Sequence, residues 1–467
     1  MYKQLQTDKE NMGALLQSVQ QLALQRFQHI ESIPAAAKPQ EVQNYPLPEE
    51  GLGAATILAK FQEEYQHLMC GSSGPRYWGY VTGGTTPASV LGDWLATTFD
   101  QNTQSVKGRG DVSAILEKET IQLLLDFLEL PKHFFGGFVT GATMSNFTCL
   151  GIARQWIGKN QEYDVARTGL QQPIQIVAGM PHSSVIKGIA MLGMGSTNIH
   201  KIPLLEGREA MDIEQLEEFL KQNTSGETMV LSSAGTVNSV DFDDMKAISK
   251  LKETYDFWWH IDAAFGGLVA CINDKKHLIT GWEQADSITV DCHKWFNIPY
   301  DSAVFFVHEK HQQRHIETFQ NSNAPYLGNP MENFSYLNFL PENSRRFRAL
   351  PVWFSLMAYG KKGHQEIISR NIQLAQQLTS YIEKSDVFEL VAPTRVNVVC
   401  FKLAGVSQEK QDAFIQELNS RRKIFITPSV YKGNSCFRAA FVNWQTTDKN
   451  IVIAIEELEA SYNIIKK

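Results

Sequence analysis

Cysteine is scarce and scattered. The 467 residues hold six, Cys70, Cys149, Cys271, Cys292, Cys400 and Cys436, with no C-x-x-C pair, which excludes a disulfide scaffold and predicts reduced, mostly buried thiols. Absent too is any apolar run of the ~18–20 residues that a bilayer-spanning helix requires. Residues Met1 to Asp8 lack the apolar core of a signal peptide, so a soluble cytoplasmic chain is expected. No long run carries charge of one sign. Lys plus Arg number 43 against 50 Asp plus Glu, a net charge of −7, and nucleic acid and anionic membrane are not expected partners. There is no internal repeat and no low-complexity tract. What remains is ordinary globular composition, 43% hydrophobic and 20% charged, which excludes a mainly disordered chain.

The length allows about three domains, or one large domain with an appendage. Leu15, Val19, Leu22 and Ile30 recur at roughly helical spacing behind a Thr7-x-x-Glu10 start, predicting an amphipathic helix over 8–30. Pro34, Pro39, Pro46 and Pro48 mark an extended connector, and a second helix is predicted over 53–69. Two helices and a Pro-rich strap make no core alone, so this segment must pack on the rest of the molecule or on a second copy. From 88 to 350, strands predicted at 174–178, 228–232, 257–261, 286–291 and 303–307 alternate with helices at 113–129, 144–156, 182–192, 212–222 and 243–254. That alternation predicts a largely parallel sheet covered on both faces. Beyond Pro351 the pattern becomes a smaller α+β unit. The expected division is a helical arm over 1–87, a large αβα domain over 88–350 and a small C-terminal domain over 351–467.

Four segments carry candidate chemistry. The strand Phe257-Trp258-Trp259-His260-Ile261 ends in Asp262-Ala263-Ala264, where the carboxylate either caps a turn or faces a flat ligand closely. A second apolar strand leads into Asp291-Cys292-His293-Lys294-Trp295, which places a lysine among apolar neighbours suited to lowering its pKa for imine chemistry. Phe138-Val139-Thr140-Gly141-Ala142-Thr143 runs from a strand into a helix start, whose free N–H groups suit either a phosphate or ordinary capping. Met180-Pro181-His182-Ser183-Ser184 opens another helix with a histidine that either packs locally or lies flat on an aromatic ring.

In this order the four segments resemble the pyridoxal phosphate-dependent group II amino acid decarboxylases, the family of the aromatic-L-amino-acid and glutamate decarboxylases. The resemblance runs from about residue 50 to the C-terminus. Its most specific marks are His260-x-Asp262-Ala263-Ala264 and His293-Lys294-Trp295, with the lysine 32 positions after the aspartate. It implies a fold-type I architecture, a homodimer with shared active sites, pyridoxal 5′-phosphate as cofactor, and decarboxylation of an aromatic or acidic L-amino acid to an amine and CO2. Aldehyde synthase, aminotransferase or carbon-carbon lyase chemistry, or a non-catalytic dimeric scaffold, stay open as alternatives.

By the same resemblance Lys294 carries the cofactor as an imine, Asp262 meets its pyridine nitrogen, and His182 stacks on its ring opposite Ala264. Ala142, Thr143 and His293 fall near its phosphate, and Ser344 reaches the phosphate of the neighbouring subunit. Tyr326 matches a mobile-loop tyrosine that protonates the product carbon, and Tyr80, Trp78 and Val81 match a segment lining the substrate pocket. Arg438 is similar to a small-domain arginine that binds substrate carboxylate in aminotransferases. Two cofactor-binding positions depart from the family pattern. Thr236 is followed by Val237 where aromatic members carry another Thr, and Asp291 stands where some carry a phosphate-binding Asn. Arg345 and Arg346 equally suit a salt-bridge cluster. His311-x-x-x-His315 reads as a solvated helix face and Gly193-x-Gly195 lacks a dinucleotide fingerprint, so neither metal nor NAD is expected.

Overall fold

The apolar runs of the central segment pair into one seven-stranded sheet. Its strands are β1 (Phe134–Val139), β2 (Gln175–Ala178), β3 (Ile199–Lys201), β4 (Thr228–Ser233), β5 (Trp258–Asp262), β6 (Ser287–Asp291) and β7 (Ala303–His308), in the order β1-β7-β6-β5-β4-β2-β3. The stretch from β6 to β3 is parallel throughout, and β7 runs antiparallel to both its neighbours. The computed structural model describes residues 1–37, 44–104, 112–223, 227–320 and 334–466.

Burial explains why these runs read as continuous apolar stretches. Every residue of β4 is buried, because helices cover both faces of a parallel sheet. Successive side chains alternate faces: Trp259 joins one core cluster and Trp258 the other. The covering helices include Ala142–Asn160, Ser183–Met191, Ile213–Gln222 and Met245–Leu251, each within a few residues of its predicted span. β3 escaped prediction because three residues carry no periodicity.

The C-terminal part forms a four-stranded antiparallel sheet of β8 (Phe388–Leu390), β9 (Val398–Leu403), β10 (Thr427–Tyr431) and β11 (Asn434–Ala440), in the order β10-β11-β9-β8. A long helix, Ala349–Glu383, leads into it and breaks at Gly360, whose φ of +58° suits a residue without Cβ.

Two expectations are corrected. The helix predicted over 8–30 is two, Lys3–Glu10 and Met12–Gln28. At the break Asn11 turns its carboxamide back to the Thr7 carbonyl, 2.8 Å away, the local competition that makes Asn a poor helix-interior residue. His311 and His315 are not solvated. His311 lies 2.7 Å from Asp286 and His315 Nε2 donates to the Phe339 carbonyl at 2.6 Å, so each has a buried partner. Among the described residues no group of three metal-ligating side chains forms, and no helix is long and apolar enough to cross a membrane.

Candidate active site

The parallel strands end on one edge of the sheet, and the chemistry-bearing residues sit there or one turn beyond. β5 ends at Asp262, opposite Ser233 of β4 and Thr289 of β6. Its Oδ1 accepts the Ala264 N–H and its Oδ2 accepts from Asn146 Nδ2, both at 3.1 Å. β6 ends at Asp291, and the turn after it carries His293 and Lys294. Lys294 Nζ lies 3.2 Å from Asp291 Oδ2, with the lysine side chain 20% exposed and the aspartate 1%. His293 Nε2 lies 3.2 Å from Asp291 Oδ1, and its Nδ1 accepts the Ser302 N–H at 3.2 Å. Burial draws the His293 pKa below its ordinary value, with Asp291 opposing. Asp291 therefore has two cationic or protonatable neighbours.

The backbone around Lys294 is tightly covered. A Cβ on Gly83 would stand 1.9 Å from the Lys294 carbonyl oxygen, so only glycine fits that approach. Asn297, held at φ +57°, donates to the Trp295 and Val442 carbonyls at 2.7 and 2.9 Å. It accepts the Gly84 and Trp444 N–H groups, each at 3.0 Å.

His182 caps the helix Ser183–Met191. Its Nδ1 accepts the Ser184 N–H at 3.2 Å and lies 2.6 Å from Ser184 Oγ. Desolvation lowers its pKa, Asp262 and Asp291 oppose this, and Lys294 and Arg438 add to it, which favours the neutral imidazole. β1 leads through Thr140 into the helix Ala142–Asn160. The Gly141 carbonyl takes the Met144 and Ser145 N–H groups at 2.9 and 3.0 Å. The N–H groups of Ala142 and Thr143, first in the helix, are left for a ligand or solvent. A Cβ on Gly141 would meet His293 Cε1 at 3.2 Å, so this turn and the lysine turn adjoin.

One cavity of about 410 Å³ brings the lysine, the strand-end carboxylate and the His182 imidazole together, while Ala142, Thr143, His293 and Asp291 are not among its lining residues. Lys294, Asp262, Ala264, His182, Thr236, Tyr80 and Val81 all line it. Arg438 lines it too, 8% exposed and with Nε unpartnered. Glu209 and Asn238 are lining residues that sequence reasoning missed. Glu209 stands in the charged run Glu206-Gly207-Arg208-Glu209, which looks like any surface loop. It is 2% exposed because Thr236 Oγ, Ser239 N and Ser239 Oγ all donate to its Oε2.

Two expectations change. Trp78 is not brought to the cavity. Tyr77 makes an isolated bridge to Phe425, the Trp78 N–H donates to the Phe425 carbonyl and the Trp78 carbonyl accepts the Ala440 N–H, which holds Trp78 in the C-terminal core, 1% exposed and with its ring 4.5 Å from that of Phe441. The Thr236 hydroxyl donates to Glu209 at 2.6 Å and accepts the Asp241 N–H at 2.9 Å, so its proton is committed within the protein. Arg345 pairs with buried Glu117 at 3.0 Å and Arg346 with Asp93 at 2.6 Å, the salt-bridge role. Ser344 is exposed. Tyr326 lies outside the described residues.

A parallel αβα sheet with a lysine turn, a strand-end carboxylate and a free helix start at one edge defines the architecture of fold-type I pyridoxal phosphate enzymes. Residues 38–404 match the pyridoxal-dependent decarboxylase conserved domain, and the chain belongs to that family of carboxy-lyases. It is similar to an aromatic-L-amino-acid decarboxylase of Bacillus atrophaeus, 25% identical over 98% of this chain and 97% of that one. It is also similar to an L-2,4-diaminobutyrate decarboxylase of Acinetobacter baumannii, 25% identical over 79% of this chain and 75% of that one. The structure of Oryza sativa TDC with PLP and tryptamine superposes with a TM-score of 0.89 at 21% identity, covering 98% of this chain and 99% of that one, a likeness of fold.

Pyridoxal phosphate is the family's cofactor, and the donor set fits it. The cavity offers a primary amine at Lys294, an acceptor at Asp262 for a protonated ring nitrogen, a flat imidazole at His182 and a small Ala264. Two free N–H groups at the helix start suit a phosphate.

Proposed function

We propose that this chain decarboxylates an aromatic or acidic L-amino acid to an amine and CO2, as a homodimer in the cytoplasm. The observation that carries the reading is the opening of Lys294, Asp262 and His182 onto a single cavity. When bound, the cofactor supplies a protonated ring that receives the electrons of the breaking carbon-carboxylate bond. Lys294 would supply the amine that holds the cofactor and gives place to the substrate amine. Asp262 would be the negative charge that keeps the ring nitrogen of the cofactor protonated. His182 and Ala264 would set the two faces of the slot, while Ala142, Thr143 and His293 would hold the phosphate end. Asp291, 3.2 Å from Lys294 Nζ, would position that side chain for the cofactor. Tyr80, Val81 and Arg438 bind the substrate, Arg438 as the cation for a carboxylate, and Tyr326 is the proton donor to the product carbon.

The division into an arm over 1–87, a cofactor domain over 88–350 and a small domain over 351–467 belongs to the same proposal. The arm supports the dimer. Its helices Lys3–Glu10 and Met12–Gln28 bury no residue within the protomer and expose Leu5, Met12, Leu16, Leu24 and Phe27, an apolar surface that a second copy would cover. Ser344 would then reach across to the neighbouring phosphate.

The decisive experiment screens the common amino acids for released CO2 and identifies the amine formed. Release of CO2 with an aldehyde instead of an amine, a keto acid formed without CO2, or no release from any amino acid, overturns the reading. Lys294→Ala should abolish the borohydride-reducible visible absorption, and a fully coloured variant contradicts the assignment of that lysine.

A further inference from the structure

Behind the cavity wall lies a buried polar chain that the mechanism above does not use. Asn146, in the first turns of the helix Ala142–Asn160, is 0% exposed. Its Nδ2 is 3.1 Å from Asp262 Oδ2 and 3.2 Å from Ser184 Oγ, and its Oδ1 is 2.9 Å from His260 Nε2. His260, also 0% exposed, places Nδ1 2.9 Å from Ser287 Oγ, which accepts the Trp258 indole N–H at 3.0 Å.

The ends of this chain determine its direction. An indole N–H only donates and a carboxylate only accepts. Asn146 must therefore present its amide N–H to Asp262 and its carbonyl to His260, which requires the His260 proton on Nε2. Ser287, having accepted from Trp258, donates its own proton to His260 Nδ1. The second amide N–H of Asn146 goes to Ser184 Oγ. The Ser184 hydroxyl proton is then directed to His182 Nδ1, 2.6 Å away, where the Ser184 N–H also points. That places the His182 proton on Nε2.

We infer that Asn146, backed by His260, is a positioning residue that couples the carboxylate and the imidazole on the cavity wall. It holds Asp262 as an oriented acceptor and His182 as a single tautomer through one carboxamide. The inference rests on the roles proposed for Asp262 and His182. Neither Asn146 nor His260 lines the cavity, so each acts through a neighbour.

The test has two arms. In cofactor-free wild-type protein labelled with ¹⁵N-histidine, ring NMR at pH 7 should show His260 and His182 protonated at Nε2. A proton on Nδ1 of either ring overturns the proposal. In the holoenzyme, Asn146→Leu keeps the volume and removes the donors. Loss of a hydrogen bond to a charged group predicts a cofactor Kd raised on the order of tenfold, and kcat lowered by a similar factor with KM within about twofold. His182 in that variant should show a mixture of tautomers. Unchanged cofactor affinity with unchanged kcat, or a change in KM alone, overturns the proposal while leaving the decarboxylase reading intact. If Asn146→Leu does not fold, the wild-type tautomers decide. If the wild type releases no CO2 from any amino acid, the reading fails, and the NMR and cofactor-affinity arms still judge Asn146.

Discussion

Replacing Asn297 by Ala tests whether three distant segments are tied together at the lysine turn. Its backbone N–H donates to the Lys294 carbonyl, and its own carbonyl accepts from Thr86 N and Ser89 Oγ. Those bonds survive the substitution. The carboxamide bonds do not, and the Gly84 and Trp444 N–H groups and the Val442 and Trp295 carbonyls lose that partner. Each buried group left unpaired costs about 1–3 kcal/mol, and Ala fits φ +57° less well than Asn. Allowing water to reach some of them, the loss is on the order of 3–6 kcal/mol, a large share of the ~5–15 kcal/mol typical of a folded protein. Urea unfolding should show the midpoint falling with little change in slope, and cofactor should be retained less well because the Lys294 turn is no longer pinned. A midpoint lowered by the equivalent of less than about 1 kcal/mol would refute the reasoning and mean that solvent replaces the carboxamide without cost.

Stability should also fall on mild acidification. Burial lowers the pKa of His260 to about 4, of His315 to about 3 and of His364 to about 4, against 6.5 in the unfolded chain. Between those values the unfolded state binds more protons, so the free energy of unfolding rises with pH across that window, by up to ~1.4 kcal/mol per pH unit for each histidine. Urea titrations between pH 4 and pH 7 check this, and a flat profile contradicts it. Trp78→Ala should cost about 3–5 kcal/mol as a core deletion, whereas Tyr80→Ala, at a side chain 64% exposed, should leave unfolding within about 0.5 kcal/mol and raise KM. Tyr326→Phe should divert product from amine to aldehyde, read by product analysis. An unchanged amine yield removes Tyr326 as donor.

The chemistry of this protein was legible in its linear order. A strand ending in a carboxylate, a strand ending in a lysine turn, and a Gly/Ala/Thr helix start are local patterns, and the resemblance joined them to one cofactor. Strand-helix alternation was equally local, which is why the parallel sheet followed from it. Tertiary structure alone decided what stands around that cofactor site. Glu209 looks like a loop charge until Thr236 and Ser239 converge on it. Trp78 looks like a pocket aromatic until its backbone bonds to Phe425 and Ala440 and carries it into the C-terminal core. Asn146 and His260, 114 positions apart, form one hydrogen-bonded unit. Such contacts depend on which face of a strand or helix a side chain occupies and on which distant segment covers it. Periodicity describes the faces, but only packing determines the partners.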